Sequence, residues 1–598
     1  MTLKGCTILF RNFTNQGISP KPASFVLIKI VNMKTILLIF MLFLFTGCVS
    51  DKVGDESIVT SYQQSLADQG PQQRVDTEGQ DLENPLAILK PTPEKPLTEL
   101  EVVKDTVSGK EVVNLTIEQA IVRALAESPE IRVVSFDPSI AKQEITKAAA
   151  EFDPSAFGRL NFEQEDNPIN SIYQPGQSDV RLSELGIKQK GTLGSEWSLS
   201  YMLTRSWDDL AGRTLSTRYE PILAFQIRQP LLRDAWQEVN LAGVNIAKLN
   251  HEIALLSFRK KAEDISTDVI SAYWLLLQAR RDIEIQQALL DRTLETLKKV
   301  QGRKEIDATA VQIKQAESYV KVRESALLQA KKSLSDAQDA LIRLLADPQM
   351  TVLSNCEIIP VTEPALMAEK FEQSEILALA MQKHPVVQQA HVAIAIADIN
   401  ISVGKNQKMP RLDLIASARM QGLARGYGDA HNELNTADYT SYGVGISLEL
   451  PIRNRQRKAE LLRRKIERRK AVATLQNLAD QLAIQAKERI RKVETTHAQI
   501  QVEKDAMQAS NIHLQALEDT EAIRERLTPE FLLVKLQAQE SLALAQRSEI
   551  KAIVDFNISL TQLAQTSGTV LELHRVRNAL PVITSRNDLP DQTNDSTQ

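Results

Sequence analysis

From residue 115 onward the apolar positions follow two periods in alternation, and the order of the two is repeated. Helical spacing opens with Leu115-Thr116-Ile117-Glu118-Gln119-Ala120, where Thr116 and Gln119 stand in the register of a capping box. Ser128-Pro129 interrupts that helix and Asp153-Pro154 ends it. The same arrangement returns 256 residues later: Ser374-Glu375-Ile376-Leu377-Ala378 opens a helix, His384-Pro385 interrupts it and Met409-Pro410 ends it. Both proline pairs are 25 residues apart. Matched breakers in matched helical context make the chain a duplicated unit.

After each terminal proline the period changes to two. Trp197, Leu199, Tyr201 and Leu203 alternate with Ser198, Ser200 and Thr204, and Leu223, Phe225 and Ile227 with Ala224, Gln226 and Arg228. In the second half Leu412, Leu414, Ala416 and Ala418 oppose Asp413, Ser417 and Arg419; Tyr442, Val444, Ile446, Leu448 and Leu450 oppose Gly443, Gly445, Ser447 and Glu449. One apolar and one polar face over about ten residues is the pattern of a membrane barrel strand beside a wet lumen. The strand regions, within 154–230 and 410–450, close at Pro230 and Pro451. Very long helices follow. From Ala262 through Ile265, Val269, Ala272, Leu276, Ala279 and Ile283 to Val300 the seam steps 3-4-3-4, as in a coiled coil. A helix over about 231–303 would be about 110 Å long and must be packed along its length. The stretches 116–152 and 307–345, end to end, match it.

Ahead of the repeats, residues 33–48 read MKTILLIFMLFLFTGC. A charged start at Lys34, an apolar core over 36–45 and small residues before Cys48 resemble a bacterial lipoprotein signal. Cys48 is then the lipidated mature N-terminus, and Met33 the true start of a leader over 1–48. The apolar run is short for a membrane-spanning helix. Val49, where inner-membrane lipoproteins usually carry Asp, favours the outer membrane. Residues 49–113, rich in Gln, Asp, Pro and Glu, are expected to be a flexible tether.

Composition narrows the function. With 71 basic and 76 acidic side chains the net charge is −5, which argues against a nucleic-acid binder. Only 22 of 598 residues are glycine, a helical profile that does not suit a doubly wound or barrel enzyme. Seven histidines and three cysteines are scattered and write no zinc or disulfide framework. His384 and His391 lack a third ligand, so packing is their expected role, and Cys356 falls in the linker between repeats. No nucleophile–base arrangement is present, so no enzyme and no cofactor are expected. Residues 453–470 hold ten Arg or Lys, among them Arg463, Arg464, Lys465, Arg468, Arg469 and Lys470. Their place just after the strand end at Pro451 would set them facing a lumen or anionic head groups, or on a solvated face.

Helix, strands, long helix, turn and helix, twice over, resemble the outer membrane efflux protein family, the TolC-like channel-tunnels, over about 114–567. The resemblance implies a mainly α protein with a β-barrel part: three protomers share one outer membrane barrel and one periplasmic α-helical tunnel. It implies a first repeat over 114–345, a linker over 346–371, a second repeat over 372–567 and a polar tail over 568–598. Its function would be a passive exit duct for tripartite efflux or type I secretion. A periplasmic adaptor and an inner-membrane pump would be its partners, and small toxic compounds or a secreted protein its cargo. The family's tips precede Gln-Ala-type helices, here Gln312–Glu317 and Leu536–Glu540. The tips then fall near 302–307 and 526–530, with Glu305, Ile306, Asp307, Arg524, Arg526, Leu527 and Thr528 as contact and gate. Neither tip keeps a Val-Gly-Leu-like turn, and Val534 and Gln537 stand where tunnel proteins carry an acidic ring. The alternative is a lipid-anchored periplasmic coiled-coil scaffold without a pore.

One spacing departs from the family. Pro154 to Pro230 spans 76 residues, but Pro410 to Pro451 only 41. An additional alternating hairpin over about 185–203 either enters the barrel, giving eighteen strands in a trimer, or stands as an extracellular flap. Twelve barrel strands, with the hairpin as a flap or an extended strand pair, is the slightly favoured expectation.

Overall fold

The computed structural model describes residues 102–573, apart from 105–110, 170, 172, 211, 306–307, 349, 351–355, 368–370 and 524–527. The leader, Cys48, most of the tether and the chain after 573 lie outside the described residues.

Two strands, β1 (Val102–Lys104) and β2 (Glu111–Leu115), precede the first helix, so the fold begins ahead of the expected boundary at 114. Helix α1 (Ile117–Glu127) opens on the anticipated capping box: Thr116 Oγ1 accepts from the Gln119 N–H, and Gln119 Oε1 accepts from the Thr116 N–H. Pro129 has no N–H to continue the ladder, so the stretch 116–152 breaks at Ser128-Pro129 as expected, into α1 and α2 (Pro129–Ala149), and ends in a 3-10 turn (Ala150–Phe152). Strands β3 (Ser155–Asp166), β4 (Gln177–Lys190), β5 (Glu196–Asp208) and β6 (Thr217–Pro230) follow. A short α3 (Gln237–Asn240) leads into α4 (Ala242–Gly302), which returns as α5 (Ala310–Leu345). The long helix thus starts later than the expected 231, because residues 231–236 make a tight turn.

The inter-repeat linker is not featureless: it holds β7 (Cys356–Pro360), in which Cys356 is buried. The second half then runs α6 (Gln373–Lys383), α7 (Pro385–Gln407), β8 (Arg411–Gln421), α8 (Tyr427–Thr436), β9 (Thr440–Glu449), α9 (Arg455–Ile523), α10 (Pro529–Ser567) and α11 (Val570–Leu573). At 1.5 Å per residue α4 is about 90 Å long and α9 about 100 Å.

The strands form two sheets, β1-β2-β7 and β3-β4-β5-β6-β8-β9. The second is antiparallel throughout. Its order overturns the favoured flap: the additional hairpin is β4–β5, and it lies within the sheet. β4 pairs with β3 from Ser155↔Lys188 to Asp166↔Gln177, and β5 with β6 from Glu196↔Arg228 to Trp207↔Thr217. A strand pair seated between two others satisfies both rows of its backbone groups, which a flap leaves to water.

The largest core forms where the small sheet meets the helices. Leu115 and Ile358, from the parallel pair β2–β7, are buried with Ile121 of α1, Ile270 and Leu276 of α4, and Leu341 and Leu345 of α5. Buried Tyr273 binds both strands' ends: its hydroxyl donates to the Leu115 carbonyl (2.9 Å) and accepts from the Thr362 N–H (2.8 Å). Along α4 the anticipated seam is covered, with Ala262, Ile265, Val269, Ala272 and Leu276 buried and Leu290 and Val300 continuing it.

Candidate functional site: a two-faced sheet, its junction and the hairpin tips

Register sorts the residues of the six strands onto two faces. One row crosses Leu185, Tyr201, Leu223 and Met420; another crosses Ile187, Leu199, Phe225, Ala418 and Tyr442. Leu160, Leu185, Leu199, Val444, Ile446 and Leu448 are exposed on this apolar face. The opposite face carries Arg159, Glu184, Ser198, Ser200, Gln226, Arg228, Asp413 and Ser417. The outer edges of β3 and β9 have no strand partner among the described residues.

At the far end of the sheet from the long helices, the segment after β8 folds into a helix. Helix α8 lies on the apolar face, where Tyr427 meets Tyr219 edge to face at 6.1 Å and His431 Nε2 hydrogen-bonds the Tyr201 hydroxyl (2.5 Å). Gly422 permits this approach, because a Cβ there would collide with the Ala430 carbonyl oxygen.

At the other end α2 and α7 lead into the sheet and α4 and α9 lead out of it. Arg228 pairs across the polar face with Glu196 (2.7 Å) and Asp413 (3.3 Å), and Arg411 also reaches Asp413 (2.8 Å). After Pro230 the backbone turns sharply: Asp234 and Trp236 adopt left-handed φ values of 66° and 78°. Non-glycine residues hold that conformation only against a cost, and the neighbours hold them there. Asn406 Oδ1 accepts from the Asp234 N–H (2.8 Å), and its Nδ2 donates to the Leu232 carbonyl (3.0 Å). The β4–β5 turn docks on the same spot through Leu193 O and Trp236 N (3.2 Å), and Gly194 (φ 86°) leaves no room for a Cβ against the Asp234 carbonyl. Asn454 (φ 42°) turns the chain between β9 and α9 and donates to the Lys408 carbonyl (2.9 Å).

The basic segment lies just beyond that turn. Arg463 and Arg464 pair with Glu460 (2.5 and 2.9 Å) and also approach Glu467, while Arg468 reaches Asp398 of α7 (2.5 Å). These three form a paired, partly solvated face. His384 sits in the α6–α7 break against Gly568, and His391 on an exposed part of α7.

Near the tips, α10 packs Phe531, Leu532 and Leu536 against Val300 of α4. Lys535, with a side chain only 3% exposed, is held by Glu521 (2.5 Å), and Lys299 comes within 3.9 Å of the same carboxylate. Gln539 donates to Thr296 (3.1 Å), and Arg323 pairs with Glu540 (2.9 Å), keeping that carboxyl below its ordinary range. Of the tip residues named from the sequence, Ile306, Asp307, Arg524, Arg526 and Leu527 lie outside the described residues, and Glu305 is exposed. Thr528 caps α10, accepting from the Phe531 N–H (3.3 Å). Val534 and Gln537 are both exposed. The Glu521–Lys535 pair escaped sequence reading; a lysine within an otherwise apolar seam was the available sign.

A duplicated chain in which a sheet with one apolar and one polar face continues into two long helical hairpins has the fold of the TolC-like outer membrane channels. Among solved structures it is similar to the outer membrane protein VceC from Vibrio cholerae (18% identity, 76% of this chain and 96% of that one, TM-score 0.55). It is also similar to the Campylobacter jejuni CmeC outer membrane channel (12%, 84% and 94%, 0.54) and to the Neisseria gonorrhoeae MtrE outer membrane channel in its open state (17%, 76% and 89%, 0.51). No protein-family profile and no curated protein matches the sequence.

Proposed function

We propose that this chain is the outer membrane exit duct of a tripartite efflux or type I secretion system. The observation that carries the reading is the six-stranded sheet: outside the distal part that α8 covers, its apolar face is exposed from Leu160 to Leu448, its other face is charged and polar, and neither edge has a strand partner among the described residues. In hydrocarbon an open edge costs several kcal/mol for each unpaired group, so the sheet must close. Copies of the chain close it, β9 of one beside β3 of the next, with the apolar face to lipid and the polar face to a lumen. A homotrimer then has eighteen strands, and a wall about half as wide again as twelve would give. The long hairpins form the periplasmic tunnel, their tips meet an adaptor and the inner-membrane pump, and Cys48 carries the lipid anchor. Small toxic compounds or a secreted protein pass through without chemistry. A coiled-coil scaffold has no use for such a sheet.

Outer membranes should yield a heat-resistant trimer that conducts in planar bilayers, and Cys48→Ser should lose labelled palmitate. A monomeric, carbonate-extractable, non-conducting protein would refute the duct.

A further inference from the structure

The inference rests on the duct reading, since it requires the apolar face to meet lipid. Along β5 that face is uncharged from Trp197 to Leu203, and along β4 from Gln189 to Ser183. It ends where Arg181 and Arg205 stand directly opposite each other. Arg205 is nine residues from Glu196 at the junction end of β5. At about 3.4 Å per residue and a tilt of about 40°, that is roughly 23 Å of height, the full span of an apolar barrel band. The two guanidinium groups therefore emerge at the head groups of the distal leaflet. Aromatic rings flank them in the same row, Phe162 beside Arg181 and Tyr219 beside Arg205.

Like charges directly opposite each other repel. Asp179 compensates Arg181 (3.3 Å), which also stacks over the Phe162 ring at 5.2 Å. Arg205 has no carboxylate partner among the described residues, and its buried Nε has no hydrogen-bond partner. On the neighbouring α8, Glu433 is engaged by the Leu423 N–H. The row thus keeps an uncompensated guanidinium beside a second one, at a membrane height where phosphate is the abundant anion. Two planar forks can bind one tetrahedral phosphate through several charge-assisted hydrogen bonds.

We propose that Arg181 and Arg205 together bind a phosphomonoester head group of a glycolipid in the distal leaflet, so that the β4–β5 hairpin fastens the barrel to its lipid. The probe is a bis-phosphorylated glycolipid of the lipid A type, titrated onto the purified full-length trimer in neutral detergent and counted by native mass spectrometry. Its dephosphorylated form and inorganic phosphate are run in parallel. The phosphorylated lipid should bind about tenfold more tightly than the dephosphorylated one, and Arg181→Gln with Arg205→Gln should remove that preference. Equal binding of the two lipids, or an unchanged preference in the double variant, overturns the site. Inorganic phosphate retained as firmly as the lipid overturns its assignment to a lipid. If the double variant does not assemble, the lipid comparison on the unsubstituted protein decides. Bilayer conductance keeps the two readings apart: a conducting trimer without lipid preference loses only this site, whereas failure to insert and conduct removes the duct.

Discussion

Glu263 lies on α4 with only 2% of its surface exposed, and Arg259 Nε donates to it at 2.9 Å. Burial outweighs that partner and pushes its carboxyl up to about 7. The folded chain therefore holds a proton that the unfolded chain has released between about pH 4.5 and 7. Stability from this group is complete below that window and is lost as pH rises through it, by about 3 kcal/mol. Glu263→Gln should flatten the dependence, so that helix melting monitored at pH 5 and pH 8 gives closer midpoints than the wild type. An identical pH slope in both proteins would remove burial of this carboxylate as the cause. Nothing in the sequence singled out Glu263, because position 263 becomes buried only when other elements close over α4, where Arg259 reaches the Gly568 carbonyl at the end of α10. The strained junction was equally hidden: Asp234, Trp236 and Asn406 are ordinary residues until three elements converge on them.

Elements were more legible, because each has a period. The capping box at Thr116, the breaks at Pro129 and Pro385, and the alternation in β5, β6, β8 and β9 all follow from spacing in the sequence. Periodicity did not say which neighbour a strand takes. Trp197, Leu199 and Tyr201 were apolar enough for lipid, yet only the register of β4 and β5 with β3 and β6 seats them within the sheet. That placement separates adjacent positions on one strand. Leu199→Arg puts a charge into the lipid face and should cost about 2–4 kcal/mol, lowering the yield of folded trimer in outer membranes. Ser200→Arg projects into the lumen and should leave the yield unchanged while altering ion selectivity. Equal losses at both positions would contradict the alternation. Helix α8 was missed for a related reason: its ten residues are too few to display a period, and its short buried set, Ala430 and Leu434, acquires meaning only against Gly422.

For the molecule as a whole, the duplication made two hairpins of similar reach predictable, and the packing shows how they are tied. Near the tips α10 is fastened to α9 by Glu521–Lys535 and to α4 by Gln539–Thr296. Removing the ammonium of a buried pair leaves its carboxylate uncompensated, which costs about 3–5 kcal/mol; Lys299 at 3.9 Å offsets part of it. Lys535→Met should therefore speed hydrogen exchange over 528–540 and leave β3–β9 protected, since α9 separates the two regions by about 100 Å. Uniformly faster exchange would mean that the tip and the sheet unfold as one.

The parallel pairing of β2 with β7 has a consequence for the order of folding. Glu111 lies beside Cys356, 245 positions further along the sequence. Closing so long a loop is slow, and the parallel ladder cannot form until both strands have been made. Resemblance between the halves therefore does not make them independent folding units. While the chain is being synthesised, everything up to residue 355 waits with one edge of β2 open and the apolar face of β3–β6 already present. Both are templates for aggregation. A holding chaperone that releases the chain only after Pro360 has emerged would let β2 find the partner it must have to complete its core.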